Sequence, residues 1–205
     1  MEAASVLLLS GGTESTTLLH QLAAEGEPVQ ALFIDYAQRA AVQESTAAHT
    51  QCGELGVELV PLELGNVGEI FRRGQDRKHH VPLPHRNLVA LSIGLSYAAN
   101  QGARKLYLAV TLDDTVDQVG ASHAFLAQFR LICGLLGDTR LATPFVGLSK
   151  REVIQRGIAL GVDYATTYSC LLGYAVHCGR CPQCQKRREA FQEIGIDEPA
   201  AFYRA

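Results

Sequence analysis

The stretch Val6-Leu7-Leu8-Leu9-Ser10-Gly11-Gly12-Thr13-Glu14-Ser15-Thr16 does most to limit what this chain can fold into. Four apolar residues run together without polar alternation, the habit of a strand buried on both faces of a parallel sheet. After the glycines the apolar spacing becomes Leu18, Leu19, Leu22 and Ala23, a helical rhythm. A buried strand thus empties through a glycine turn into a helix. The first N–H groups of such a helix have no intrahelical partner and lie in a partial positive field, so they bind phosphate. Gly11 and Gly12 let an anion approach the backbone, and Ser10, Ser15 and Thr16 add hydroxyl donors. Glu14 is a candidate ligand for a magnesium ion bridging phosphate oxygens. The competing reading is a plain turn capped by hydroxyls. The position at the carboxyl end of the first buried strand, where open α/β sheets take ligands, favours phosphate.

The spacing is neither a Walker loop, whose lysine is missing, nor the dinucleotide G-x-G-x-x-G. It resembles the pyrophosphate loop of the ATP pyrophosphatases, Ser-Gly-Gly-x-Asp-Ser, with Glu14 where Asp is usual. That resemblance implies cleavage of ATP between the α- and β-phosphates and transfer of AMP to an acceptor.

Further strands are expected over 29–35, 57–62, 105–110 and 141–145, and helices over 42–55, 122–136 and 185–194, with Gly56 as a C-cap. A long apolar helix is expected after Asn87, carrying Leu88, Leu91, Ile93 and Leu95. This alternation predicts an α/β fold, a doubly wound parallel sheet with helices on both faces. At 205 residues it predicts one main domain over 1–165 and a smaller segment over 166–205. Residues 63–84 read as irregular. They hold a basic cluster of Arg72, Arg73, Arg77, Lys78, His79 and His80, read first as a solvated loop and second as a lid over triphosphate.

Polar residues gather at the expected carboxyl strand ends. Asp35 and Tyr36 fit an adenine or ribose contact and equally a polar strand end, with Gln38 and Arg39 following. Arg86 and Asn87 open the long helix, where an arginine can fork onto phosphate and an asparagine can cap. Asp113, Asp114 and Asp117 fit metal or substrate contact and equally turn formation. Ser149-Lys150-Arg151-Glu152 is a capping box, and Lys150 at a helix N-terminus is unfavourable unless it faces an anion.

Charge and hydropathy exclude some classes. A net charge of −3 gives no electrostatic footprint for direct nucleic-acid binding. No apolar run is long enough to span a membrane, and no basic segment precedes the first apolar run, so neither a membrane role nor a signal peptide is expected. The expected location is the cytoplasm, where six cysteines read as metal ligands or buried thiols before disulfides. Cys170, Cys178, Cys181 and Cys184 are such ligands, the last three at two-residue gaps around Gly179 and Pro182. Four thiolates suit a closed, structural zinc site; an iron–sulfur cluster is the alternative, and His177 could replace one sulfur. Lys186, Arg187 and Arg188 read as a solvated helix face or as phosphate contacts.

Taken together, the Ser-Gly-Gly loop, Tyr36-x-Gln38-Arg39, Arg86-Asn87, Thr143-Pro144 with Lys150, and Ser169-Cys170 leading into the cysteine run resemble the 7-cyano-7-deazaguanine synthase (QueC) family over nearly the whole chain. The resemblance implies an adenine nucleotide alpha hydrolase-like, pyrophosphate-loop fold. It implies an ATP-dependent carbon–nitrogen ligase that adenylates 7-carboxy-7-deazaguanine, forms the amide with ammonia, and dehydrates it to the nitrile with a second ATP. It implies structural Zn²⁺ on the four cysteines, Mg²⁺, and a homodimer. ATP would be held by Ser10, Gly11, Gly12, Glu14, Ser15, Thr16, Tyr36, Gln38, Arg39 and Asn87, with Arg86 and Lys150 catalytic. The chain departs from the family pattern at Glu14, at Ala40 and His85, where His and Gly are usual, and over Asp117–Ala121, where a Tyr-Pro-Asp-Cys segment is usual. These departures keep two alternatives open: an enzyme that stops at the amide or joins the acid to another amine, including one on a protein, and a non-catalytic nucleotide-binding module.

Overall fold

The computed structural model describes residues 5–65, 67–74 and 83–204. Its strands are β1 Ser5–Leu8, β2 Val29–Asp35, β3 Leu59–Glu63, β4 Lys105–Tyr107 and β5 Arg140–Ala142. All pair in parallel, in the order β3-β2-β1-β4-β5. The helices among the described residues are α1 Thr13–Ala24, α2 Ala41–Leu55, α3 Val67–Arg72, α4 Arg86–Asn100, α5 Leu112–Asp117, α6 His123–Leu136, α7 Lys150–Ala159 and α8 Pro182–Glu193.

Every residue of β1 is buried because the strand is central and covered on both sides. Alternation then sorts its side chains. Val6 and Leu8 join Leu32, Leu106 and Leu141 against Leu91 and Leu95 of α4 and Leu126 and Phe129 of α6. Leu7 and Leu9 join Ala31, Phe33 and Tyr107 against Leu18, Leu19 and Leu22 of α1, Ala48 of α2 and Val153 of α7. The result is the doubly wound sheet that the sequence predicts. The chain leaves β1 toward β2 on one side and places β4 on the other, so the crevice at the carboxyl end of β1 is a topological switch point.

Several expected bounds move. β4 stops at Tyr107 and β5 at Ala142, since only three residues of each are in register before the strands part. Residues 63–84 are not irregular throughout. Glu63 ends β3, and Val67–Arg72 is the helix α3, held against the turn after β2 by the Gly68 N–H donating to the Tyr36 carbonyl at 2.6 Å. Residues 75–80 of the basic cluster lie outside the described residues. The aspartates after β4 lie in α5, where Thr111 and Asp114 form a capping box. Beyond α7, Tyr164 and Phe191 of α8 pack edge to face at 5.3 Å beside Ile154, which seats the C-terminal segment on the sheet domain. No described helix is long and apolar enough to cross a membrane.

Candidate active site and metal centre

A cavity of about 230 Å³ opens over the carboxyl ends of β1, β2 and β4. One wall is the turn between β1 and α1. Gly11 takes φ +71°, and a Cβ there would lie 2.5 Å from the Glu44 carbonyl oxygen, so only glycine lets α2 pack against the turn. Gly12 caps α1 in extended conformation without a side-chain bond, which leaves the first N–H groups of the helix free for a ligand. The Ser10 and Ser15 hydroxyls lie 3.1 Å apart at the cavity edge.

Lys150 enters this wall from α7. The Ser149–Glu152 capping box starts that helix, and the Lys150 N–H donates to Asp113 Oδ2 at 2.8 Å. Its ammonium, largely buried, is paired with Glu14 Oε1, while the Thr13 hydroxyl donates to Glu14 Oε2 at 2.8 Å. Burial pushes the Glu14 carboxyl up, but the Lys150 charge and hydrogen bond outweigh it and hold the group below the ordinary carboxylate value. An anion does face the misplaced cation at this helix start.

The opposite wall carries Tyr36, Gln38, Glu44, Arg86 and Asn87. Gln38 is its organiser: it accepts from the Tyr36 N–H at 2.9 Å and donates to Glu44 Oε2 at 2.9 Å. Burial chiefly weakens the acidity of the Tyr36 hydroxyl, against the Arg86 charge, which favours its ionised form. Asn87 is not the cap of α4. His85 holds that position at φ +53°, and Asn87 donates instead to the Gly120 carbonyl at 3.0 Å. The left-handed φ at His85 explains why the family pattern has glycine there.

The cavity therefore brings together Ser10, Gly12, Glu14, Ser15, Tyr36, Gln38, Arg86, Asn87 and Lys150. Gly11, Thr16 and Arg39 do not line it. Gly11 is buried under α2, Thr16 is buried with its hydroxyl unpartnered, and Arg39 is exposed, its carbonyl covered by Gly173. Glu44, Gln118, Tyr168 and Gln183 line the cavity without having been singled out from the sequence, and Ser169, quoted there only as part of the run into the cysteines, lines it too. Glu44 carried one signal, an acid in the first turn of the helix after β2. Tyr168 carried none, because its N–H reaches the Gly11 carbonyl, 2.9 Å away, only through the fold.

Behind Tyr168 lies the cysteine cluster. The sulfurs of Cys170, Cys178, Cys181 and Cys184 all lie within 4.8 Å of one another, and Cys178 and Cys184 are 3.8 Å apart. A tetrahedron with metal–sulfur bonds of about 2.3 Å has edges of about 3.8 Å, so the donor set fits zinc. Backbone N–H groups point at the sulfurs: Leu172 and Cys178 to Cys170 at 3.5 and 3.4 Å, Arg180 and Cys181 to Cys178 at 3.4 and 3.2 Å. The neighbouring Cys184 thiol and those N–H groups hold the Cys170 thiol below its ordinary value. His177 stays outside the sulfur set. Its Nε2 accepts from the Ser169 N–H at 2.9 Å, and its ring stacks on Phe202 with centroids 4.2 Å apart.

Neither reading of the α8 cations fits Arg187, which is fully buried. It pairs with Glu198 at 2.8 Å and donates to the Tyr164 carbonyl at 2.7 Å and the Thr167 hydroxyl at 2.8 Å. It also donates to the Ser169 hydroxyl at 3.3 Å. Lys186 pairs with Asp117 of α5, and Arg188 covers the Tyr203 ring at 4.2 Å.

Solved structures share this fold. NMN synthetase from Francisella tularensis is 16% identical, with a TM-score of 0.58 over 98% of this chain and 80% of that one. The U34-tRNA thiolase NcsA from Methanococcus maripaludis, with its [4Fe-4S] cluster, is 15% identical, with a TM-score of 0.59 over 97% and 67%. The sheet order, the glycine turn and the cavity at the switch point define a doubly wound α/β protein with its ligand crevice at the carboxyl end of β1. The family model described as Queuosine biosynthesis protein QueC matches residues 4–195. The 7-cyano-7-deazaguanine synthase 1 of Sulfurisphaera tokodaii is 31% identical over 97% of both chains. The 7-cyano-7-deazaguanine synthase of Thiobacillus denitrificans is 33% identical over the full length of both. The chain belongs to the QueC family.

Proposed function

We propose that the chain uses ATP to activate the carboxylate of 7-carboxy-7-deazaguanine and converts it with ammonia, through the amide, to 7-cyano-7-deazaguanine. A carboxylate is a poor electrophile because its leaving group would be oxide. One carboxylate oxygen attacks the α-phosphorus of ATP, the bond to the bridging oxygen breaks, and pyrophosphate leaves. Ammonia adds to the carbonyl carbon of the acyl-adenylate and loses a proton, and AMP departs with the bonding pair. In the second half, the amide oxygen attacks the α-phosphorus of another ATP and pyrophosphate leaves; loss of AMP and protons from the adenylated amide then gives the nitrile.

The observation that carries this reading is the convergence of the open α1 N-terminus, Ser10, Ser15, Lys150 and Arg86 on one cavity. Bringing two anions together needs such donors, placed in advance. Lys150 and Arg86 take the catalytic roles of balancing charge on phosphate and carboxylate; Tyr36, Gln38 and Asn87 shape the nucleotide side. Glu14 would hold Mg²⁺, which supplies further neutralisation of the phosphates. Cys170, Cys178, Cys181 and Cys184 would hold Zn²⁺ in a closed, structural site. Residues 1–165 then form the nucleotide-binding unit and 166–205 its metal-braced wall, in a cytoplasmic enzyme. The exposed leucines 131, 135 and 136 of α6 support a homodimer.

The test is pyrophosphate release from ATP with and without 7-carboxy-7-deazaguanine and ammonia, with products identified by mass. Release that depends on the acid and ends in the nitrile supports the reading. A second reading, an enzyme that stops at the amide or uses another amine, is favoured by one observation. The segment that departs from the family pattern borders the cavity through Gln118, and Gly120 in it is tied to Asn87. An amide or an adduct as end product would favour it, and no release at all would favour a nucleotide-binding module.

A further inference from the structure

Glu44 stands in the first turn of α2, whose backbone packs on Gly11, and its side chain lines the cavity. Its Oε2 is fixed by the Gln38 amide, which is itself fixed by the Tyr36 N–H. Among the described residues its Oε1 has no hydrogen-bond donor, and no cation stands within ion-pair distance of it. A half-buried carboxylate that faces a cavity without a paired cation is free to accept donors from a ligand. Burial pushes this carboxyl up, with Gln38 and the Arg86 charge pulling the other way. Donors from a ligand would repay what the group loses by leaving water.

The rest of the cavity says what kind of ligand brings them. Leu8, Leu32, Ile34, Val89, Leu108 and Val110 give it an apolar interior that suits a flat ring system. A guanine-type ring presents two adjacent N–H donors, the ring N1–H and the exocyclic amino group, which a carboxylate accepts as a pair. Adenine presents an acceptor beside its amino group, and a carboxylate repels it. On the function proposed above, the substrate carries its reacting acid on the five-membered ring and its N–H edge at the far end of the six-membered ring. We infer that Glu44 reads the N1–H and 2-amino edge of the deazaguanine substrate and thereby sets the specificity of the site.

The experiment compares wild type and Glu44→Gln as zinc-loaded full chains, measuring KM for 7-carboxy-7-deazaguanine, ATP and ammonia separately. Gln keeps the acceptor for Gln38 but loses the charge and one acceptor. The KM for the deazaguanine acid should rise by about 10–100-fold, the loss of one charge-assisted hydrogen bond, and by far more than the KM for ATP, whose side of the cavity Glu44 shares through Gln38. An analogue lacking the 2-amino group should show a comparable penalty with wild type and little further penalty with the variant. That analogue arm needs no substitution, so it stands even where the variant does not fold. A rise in KM for ATP or ammonia alone, or no discrimination against the analogue by wild type, overturns the inference. If wild type releases no pyrophosphate with the deazaguanine acid, the proposed function itself fails, and Glu44 with it; that outcome is seen before any variant is made.

Discussion

Lys150, the first residue of α7, turns its ammonium onto the carboxylate of Glu14 in the first turn of α1. The two helices start at the same cavity, so the pair sits where ATP phosphates would enter. Lys150→Met should lower kcat for pyrophosphate release by about 100–1000-fold, the usual cost of losing a preorganised donor. Glu14→Gln frees the cation but removes the metal ligand, so its activity should recover partly at raised Mg²⁺. Initial rates across a Mg²⁺ series check both.

His85 is strained. A non-glycine residue at φ +53° pays a left-handed penalty of about 1–2 kcal/mol, partly offset by the entropy that glycine loses on folding. His85→Gly should therefore stabilise the protein by about 0.5–1 kcal/mol, a rise of a few degrees in Tm. Thermal melts of metal-loaded protein check it.

The raised Glu44 carboxyl makes a stability prediction with a definite sign. A carboxyl whose folded value lies above 4.5 favours the fold when protonated; that contribution is full below 4.5 and is lost as pH rises through the folded value. Glu44→Gln removes the titration. The variant should melt above wild type at pH 8, and the gap should narrow as the pH falls toward 4.5. A gap independent of pH would contradict the assignment.

The cysteine cluster should hold one zinc per chain, seen by elemental analysis in a protein without visible absorbance. Cys178→Ser should lose the metal and cost several kcal/mol of stability, since metal binding energy is folding energy at such sites. A brown protein absorbing near the iron–sulfur range would replace zinc with a cluster.

Arg187→Met leaves Glu198 buried without its cation and should cost about 3–5 kcal/mol. Pairing it with Glu198→Gln should recover much of that loss, because removing both charges also removes their desolvation. Denaturant melts of the single and double variants measure the difference.

Much of the fold was legible because local and global signals agree. Val6–Leu9 is apolar throughout, and β1 is the central strand; Ser149 and Glu152 read as a cap and form one. Lys150 was legible as an electrostatic oddity, though nothing local named Glu14 as its partner. The cysteine spacing predicted a cluster that the fold does assemble. What was not legible depends on distant partners. Arg187 reads as a surface cation until Glu198 and Phe202 close over it. Asn87 reads as a cap until Gly120 arrives. Tyr168 reaches the phosphate loop by a bond spanning almost the whole chain, and no window of sequence contains both ends.

The C-terminal tail gives the enzyme an order of birth. The Arg204 N–H donates to the His177 carbonyl at 2.8 Å, His177 holds Ser169, and Glu198 secures Arg187 against the same segment. The glycine turn lies within residues 10–16, yet the wall facing it is braced by residues 177–204. A chain still leaving the ribosome would carry the loop without that wall. The cavity would then be complete only once residues 177–204 have been made, and loss of that segment would undo a site far away in sequence.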